Sequence, residues 1–229
     1  MRRFIPIAVA GVALVLATTA ALGADAPDRR LPLPRSVATY VPFFTWNGAY
    51  VGINAGYGFG SSQWTDTVTQ ASTNKFSTSG GLIGGTVGYN LQLSTVVVGL
   101  EGDIGWSGIK GSTTTNCITT CETSNAWLGT ARGRIGYAFD RFLPYFTAGA
   151  AFGEVKGSVA GFGSFSQTKV GWTIGGGLEY AFLNNWSAKL EYLYVDLGTA
   201  NCNAACSGGD PFDVTFTTNI IRGGVNYKF

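Results

Sequence analysis

From Asn47 to Phe229 the chain reads as segments in which apolar and polar side chains alternate with period two, the pattern of strands with two unlike faces. Eight such strands are predicted, at 47–59, 76–91, 95–106, 126–138, 142–154, 167–182, 186–197 and 214–229. In "LEGDIGWS", Leu100, Ile104 and Trp106 share a side with Gly102, while Glu101, Asp103 and Gly105 take the other. In "LGTARGRIGY", Trp127, Ala131, Ile135 and Tyr137 oppose Thr130, Arg132 and Arg134. The sixth strand sets Trp172, Ile174, Leu178 and Tyr180 against Thr173 and Glu179, and the seventh sets Trp186, Leu190, Tyr192 and Tyr194 against Ser187, Lys189 and Glu191.

The connections alternate in length. Long polar segments follow the first, third, fifth and seventh strands, whereas "QLS", "FDR" and "LNN" follow the second, fourth and sixth. Long and short connections then fall at opposite ends of an up-and-down sheet, as in outer-membrane barrels with long external loops.

Alternation alone does not choose between two barrels. In water the apolar face packs inward; in a membrane it meets lipid and the charges point into the tube. Trp, Tyr and Phe near the strand ends favour the membrane, where such rings sit at the headgroups. The predicted strands also reach the roughly nine to eleven residues that cross a bilayer at a tilt. The polar faces carry Glu101, Asp103, Glu179 and Glu191 against Arg132, Arg134, Lys189 and Arg222, a balanced set suited to pairing inside a closed lumen. Arg132 and Arg134 lie on the strand next to Glu101 and Asp103, within reach of cross-strand pairs. The fold class expected is all-β, an eight-stranded antiparallel up-and-down transmembrane β-barrel over 46–229.

Composition narrows this further. The 34 glycines disfavour helices and suit tight barrel curvature, while the 15 Phe, 10 Tyr and 6 Trp argue against disorder. Beyond Leu22 no apolar run approaches the roughly twenty residues of a membrane helix. "MRR", the apolar stretch to Leu22 and the small residues after it read as a signal peptide over 1–24, cut somewhere in 23–26, followed by a Pro-rich periplasmic leader over 25–45. A net charge of +2 gives no support to a nucleic-acid partner.

Four cysteines form two local pairs, Cys117/Cys121 and Cys202/Cys206, both in predicted long loops. Three pairings are open to four cysteines; in an exported chain two short-loop disulfides are favoured over a zinc site. No metal and no cofactor are expected. The chain has no histidine, which removes any Ser/His/Asp arrangement, and no acidic pair identifies hydrolytic work, so an enzyme is not expected.

The strings "WNGAYVGINAGYGFG", "GGLIGGTVGYN", "VVGLEGDIGWS", "LGTARGRIGYAFDRFLPYFTAGAAFG", "GWTIGGGLEYAF" and "WSAKLEYLYVDLG", in that order, resemble the small outer-membrane proteins of alphaproteobacteria, a family of surface antigens and porin-like proteins with haemin-binding members. The resemblance implies an outer-membrane barrel with periplasmic termini and extracellular long loops, set among lipid and lipopolysaccharide. It also implies that Tyr227 and Phe229 form the signal read by the barrel-assembly machinery. Eight large charged groups fill so narrow a tube, so the expected role is structural and surface-exposed, with at most a narrow small-solute pathway. The alternative is a surface binder of haemin or a host molecule. For haemin, the absence of His and of Met beyond the initiator leaves only Tyr, Cys or stacking.

Overall fold

Period-two alternation is realised as eight strands: β1 Gly48–Asp66, β2 Phe76–Leu93, β3 Val96–Thr113, β4 Cys121–Tyr137, β5 Phe142–Val159, β6 Gly163–Ala181, β7 Trp186–Cys202 and β8 Phe212–Lys228. They come from a computed structural model that describes residues 44–115, 117, 119–161, 163–202 and 212–229; of Cys202 it describes the backbone only. The expected signal peptide and all but the last two residues of the expected leader lie outside the described residues, as does Cys206.

Each strand pairs antiparallel with the next, and β8 closes on β1 in a continuous ladder from Tyr50↔Lys228 to Asp66↔Phe212. At one end are short turns at 94–95, 138–141 and 182–185, with Ser94 (φ 59°) and Asp140 (φ 53°) in the left-handed region that tight reversals demand. Gly48 and Phe229 lie at this turn end, where the Phe229 amide donates to the Ala49 carbonyl at 3.0 Å. The loop end carries the connections 67–75, 114–120, 160–162 and 203–211.

The strands are 17–19 residues long, well beyond the roughly ten that span a bilayer. Most of them run four to seven residues further toward the loop end than the sequence pattern indicates: β1 reaches Asp66 instead of 59, β3 reaches Thr113 instead of 106, and β4 starts at Cys121 instead of 126. The connections are correspondingly shorter than expected. Cys121 opens β4 and Cys202 closes β7, so neither sits within a loop. Two bulges explain why the pattern fades. Between Asn125 and Leu128 the inward-facing positions of β4 change from odd to even. A second bulge on β7, between Asp196 and Thr199, contains Gly198 at φ 68°, and moves the inward side from Leu197 to Ala200.

Polarity inverts along the barrel. From the turn end to Trp106 the outward side chains are apolar, including Ile53, Val87, Leu100, Ile104, Phe146 (76 % exposed), Leu190 and Val225. The ten-residue rise from Val96 to Trp106 is about 25 Å at a tilt near 40°, the height of a lipid-facing band. Trp106 and Trp127 are register partners at its upper edge, and Trp172 and Tyr194 stack there at 5.3 Å. Tyr137, Phe139, Trp186, Tyr227 and Phe229 ring the lower edge, with Trp186–Tyr227 at 5.1 Å.

Beyond the band the strands continue as a collar about 15 Å tall, the length of some six residues at the same tilt. Its outward positions are polar: Ser61, Gln63, Ser77, Ser79, Lys110, Ser124, Lys156 and Ser166 among them. Its large inward side chains are apolar, interleaved with small polar ones such as Ser62, Thr78, Thr123 and Asn125. Trp64, Phe76, Ile109, Cys121, Val155, Val159, Leu197, Val214 and Phe216 form one buried cluster, in which Trp64 Nε1 donates to Thr123 Oγ1 at 2.9 Å. The collar is therefore organised like a barrel in water, stacked on one organised for lipid.

Candidate functional site in the barrel lumen

Between the apolar collar core and the turn end, inward charged side chains from five strands converge on one layer. Alternation sends Glu101 and Asp103 of β3, Arg132 and Arg134 of β4, Glu179 of β6, Lys189 and Glu191 of β7, and Arg222 of β8 into the tube. The side chains in these ion pairs are at most 4 % exposed.

Arg132 is the hub. Its guanidinium binds Glu101, Asp103 Oδ2 at 2.8 Å and, across the lumen, Glu191 Oε1 at 2.9 Å. Its Nε donates to Thr130 Oγ1 at 2.8 Å, and that hydroxyl donates to Asp103 Oδ2 at 2.8 Å. Arg222 mirrors this from the other wall: Nε to Glu191 Oε2 at 2.7 Å, with Nη1 and Nη2 forking onto Asp103 at 3.0 and 2.9 Å. Lys189 is the register partner of Glu179, yet its ammonium crosses to Glu101 Oε2 at 2.9 Å. Arg134 binds Glu179 Oε2 at 2.7 Å and lies further, 3.6 Å, from Glu101 Oε2.

All eight charged residues singled out in the sequence are thus brought into one network, four acids against four bases. Cross-strand neighbours supply part of the pairing: Glu101↔Arg132 and Glu191↔Arg222 are opposite in register and bonded. Arg132–Asp103 and Arg134–Glu101 are diagonal contacts between the same neighbouring strands, β3 and β4. The contacts of Arg132 with Glu191, Arg134 with Glu179, Lys189 with Glu101 and Arg222 with Asp103 are transverse, which no strand-neighbour argument yields.

The uncharged members were missed. Tyr50 Oη donates to Glu101 Oε2 at 2.8 Å and accepts from Arg134 Nη1 at 3.0 Å; Tyr145 Oη donates to Glu191 Oε1 at 3.0 Å, and the Arg134 guanidinium carbon lies 4.1 Å from the Tyr145 ring centroid. Ser187 Oγ and Asn226 Nδ2 both donate to Glu179 Oε1, at 2.6 and 2.8 Å. Tyr50 shares its parity with Asn54 along β1, and that was the available signal. Glycines make the room: Tyr50 lies across Gly88, where a Cβ would come within 2.3 Å of its Cζ.

The layer is shut on both sides. One inward step toward the loop end, Leu193 follows Glu191 and Ile220 follows Arg222, each in the collar cluster. Toward the turn end, Val97, Ala138, Leu143 and Ala181 lie below the charges, closed off by Phe44 and Trp46. Trp46 Nε1 donates to the Asp140 carbonyl at 3.0 Å and its amide to Gln92 Oε1 at 2.7 Å, while Lys228 Nζ sits 4.4 Å from the Phe44 ring centroid. A crevice of about 10 Å³ beside Trp46, Tyr50, Asn90 and Glu179 has room for about one water.

Among the described residues no three His, Cys, Asp or Glu side chains are placed to hold a metal ion. Cys117 and Cys121 form a disulfide with Cα atoms 6.1 Å apart, and Cys121 packs into the collar cluster. The pairing expected for Cys202 and Cys206 falls outside the described residues. Tyr227 and Phe229 meet edge to face at 5.3 Å at the foot of the barrel wall.

A closed barrel with a lipid-width apolar band has an independent counterpart in sequence: residues 13–229 match the family described as outer membrane protein beta-barrel domain. The chain belongs to that family. It is 39 % identical over 240 residues to the 31 kDa outer-membrane immunogenic protein of Brucella melitensis biotype 1, covering 96 % of this chain and 98 % of the other. It is 32 % identical to the 25 kDa outer-membrane immunogenic protein of Brucella abortus biovar 1 over the whole of both chains. The 22 kDa outer membrane protein of Rhizobium leguminosarum bv. viciae is 34 % identical, over 82 % of this chain and 80 % of its own. Among solved structures, OprG from Pseudomonas aeruginosa covers 80 % of this chain and 97 % of itself at 14 % identity and a TM-score of 0.47, too distant to add to the barrel already described. This family member is an outer-membrane β-barrel protein, and its relatives are outer-membrane proteins named for immunogenicity or location.

Proposed function

We propose that this barrel serves as a sealed structural element of the outer membrane that presents its loop end at the surface, with no enzymatic activity. The turn end, with both barrel termini, faces the periplasm. Lipid and lipopolysaccharide surround the apolar band, and Tyr227 and Phe229, on the foot of the closing strand, are the points the barrel-assembly machinery reads. The immunogenicity for which the Brucella relatives are named supports exposure of the loop end.

The observation that carries this reading is the stack inside the lumen: an apolar collar core, a fully paired charged layer and an aromatic closure at Trp46. Water and ions crossing such a stack would have to separate buried ion pairs, each transiently unpaired charge costing several kcal/mol. Any flux of small polar solutes is therefore slow and rare. The protein folded into a planar bilayer is expected to give no discrete conductance steps; regular steps from the purified wild-type protein would overturn the sealed-lumen reading.

Surface binding is the second reading, favoured by the rigid collar, which holds a polar face clear of the lipid band. A haemin or a host molecule would bind there, outside the filled lumen. Retention of added haemin by the folded protein, abolished by shortening 67–75 and 203–211, tests it.

A further inference from the structure

The collar face across β4, β5 and β6 differs from the rest of the barrel exterior. Register places Glu122 opposite Ser158 and Ser158 opposite Ser164; one inward–outward repeat below, Ser124 stands opposite Lys156 and Lys156 opposite Ser166. All six side chains point outward, so they form a grid of two rows and three columns. Neighbours are about 5 Å apart across strands and about 7 Å apart along them. The grid lines an open groove of about 490 Å³ whose floor is Gly157, a residue with no side chain. Phe165 backs that floor from within, against Trp64 at a ring distance of 6.3 Å. The groove is therefore held by the collar core and not by a loop.

Its chemistry is that of hydroxyl groups. Among the described residues the side chains of Glu122, Ser124, Ser158 and Ser164 have no hydrogen-bond partner. Lys156 is half-exposed and pairs with Glu154 at 3.3 Å, and Glu154 also accepts from the Ser166 hydroxyl. The cation is thus already neutralised, which makes the groove a poor match for a bare phosphate or an acidic peptide. Three free serine hydroxyls, each a donor and an acceptor, with Ser166 left as an acceptor, beside a carboxylate that accepts two donors, match a neutral polyol. The absence of outward apolar side chains in the grid argues against an acyl chain or an apolar protein surface.

Position narrows the partner. The lower row lies about 7 to 15 Å beyond the aromatic edge, since Ser124 is three residues past Trp127 and Ser166 six past Trp172 at about 2.5 Å of height per residue at barrel tilt. In an outer leaflet built from glycolipid, that height is where the acyl chains and headgroup phosphates have ended and the saccharide has begun.

We propose that this serine grid is a docking groove for neutral sugars in the core oligosaccharide of the surrounding lipopolysaccharide, with Glu122 accepting from vicinal hydroxyls and the serines bonding the ring edge. The proposal rests on the loop end facing outward.

The test uses the full-length protein in phospholipid vesicles doped with lipopolysaccharide bearing its core oligosaccharide or with lipid A alone, followed by extraction in mild detergent and measurement of glycolipid retained per barrel. Wild type is expected to retain at least fivefold more of the core-bearing form. Combined S124A, S158A, S164A and S166A substitutions are expected to bring it down to the lipid A level, with heat-dependent gel migration unchanged. The single change Glu122→Gln provides a smaller perturbation if the fourfold variant does not fold, with an expected loss of about threefold. Equal retention of the two glycolipids by wild type, an unchanged preference in the folded variants, or a parallel loss of both glycolipids that marks a phosphate contact would overturn the proposal. Orientation is read separately: a cysteine introduced by Ser79→Cys, in a chain whose native cysteines are replaced, is expected to react with an impermeant maleimide on intact cells. No reaction there, with retention in vesicles intact, would sink the outward orientation and leave the groove's chemistry standing.

Discussion

Arg132 on β4 and Glu191 on β7 stand on opposite walls of the barrel and meet across its lumen at 2.9 Å, both side chains fully buried. Each also binds a second group, Arg132 the carboxylates of β3 and Glu191 the guanidinium of Arg222, so one contact ties four strands together. Glu191→Gln would keep the shape and leave two guanidinium groups short of a counter-charge. The expected loss is about 3 to 5 kcal/mol in equilibrium urea unfolding of the refolded protein in lipid vesicles. Lys189→Met removes a cation that among the described residues forms an ion pair with Glu101 alone, so the loss should be smaller.

The inversion of polarity between band and collar makes a position-dependent prediction. Leu100→Lys puts a charge on the lipid face near mid-band and is expected to destabilise the inserted barrel by about 2 to 4 kcal/mol. Ser77→Lys, also outward but on the collar, should be neutral within about 0.5 kcal/mol. Val155→Lys points into the collar core and should prevent folding there. Heat-dependent gel migration and urea unfolding of the three variants separate these outcomes.

Gly88 is required by Tyr50. A Cβ at residue 88 would lie 2.3 Å from the ring, so Gly88→Ala should displace the ring, break its bond to Glu101 and cost about 1 to 3 kcal/mol. Adding Tyr50→Leu should cost less in the Gly88→Ala background than in wild type. A double-mutant cycle on unfolding free energies measures that coupling.

The disulfide closes a very short loop, and Cys117→Ser is expected to lower stability by no more than about 2 kcal/mol. Cys121→Ser should cost about 1 kcal/mol more, because the residue at 121 packs among Trp64, Val155 and Val159, where a hydroxyl is poorly accommodated. Unfolding midpoints of wild type with and without reductant, set beside those of the two variants, distinguish the cross-link from the packing.

The period-two pattern determined a great deal by itself. Strand count, the outward side from Leu100 to Trp106 and the membership of the eight-charge network were all legible, because alternation is a local property that survives any arrangement of neighbours. The extra turns of strand at the loop end were not. In "GSSQWTD" and "SGIKGST" the outward residues are serines and lysines with little strand signature, and pairing with neighbouring strands holds them extended. Bulges at Asn125–Leu128 and Asp196–Thr199 also broke the period that would have revealed the continuation. Trp64 and Ile109 consequently looked like loop residues, although they are part of an apolar core.

Which charges meet across the tube was decided by closure alone. Wrapping β8 onto β1 carries β7 to the wall opposite β3 and β4, so Lys189 reaches Glu101 and Arg132 reaches Glu191 across the tube. Sequence fixes the order of strands along the chain, but a contact across a lumen depends on curvature and stagger, which are properties of the closed sheet as a whole. The same closure converts one set of outward serines into a grid on the collar and one set of inward carboxylates into a sealed, neutral layer.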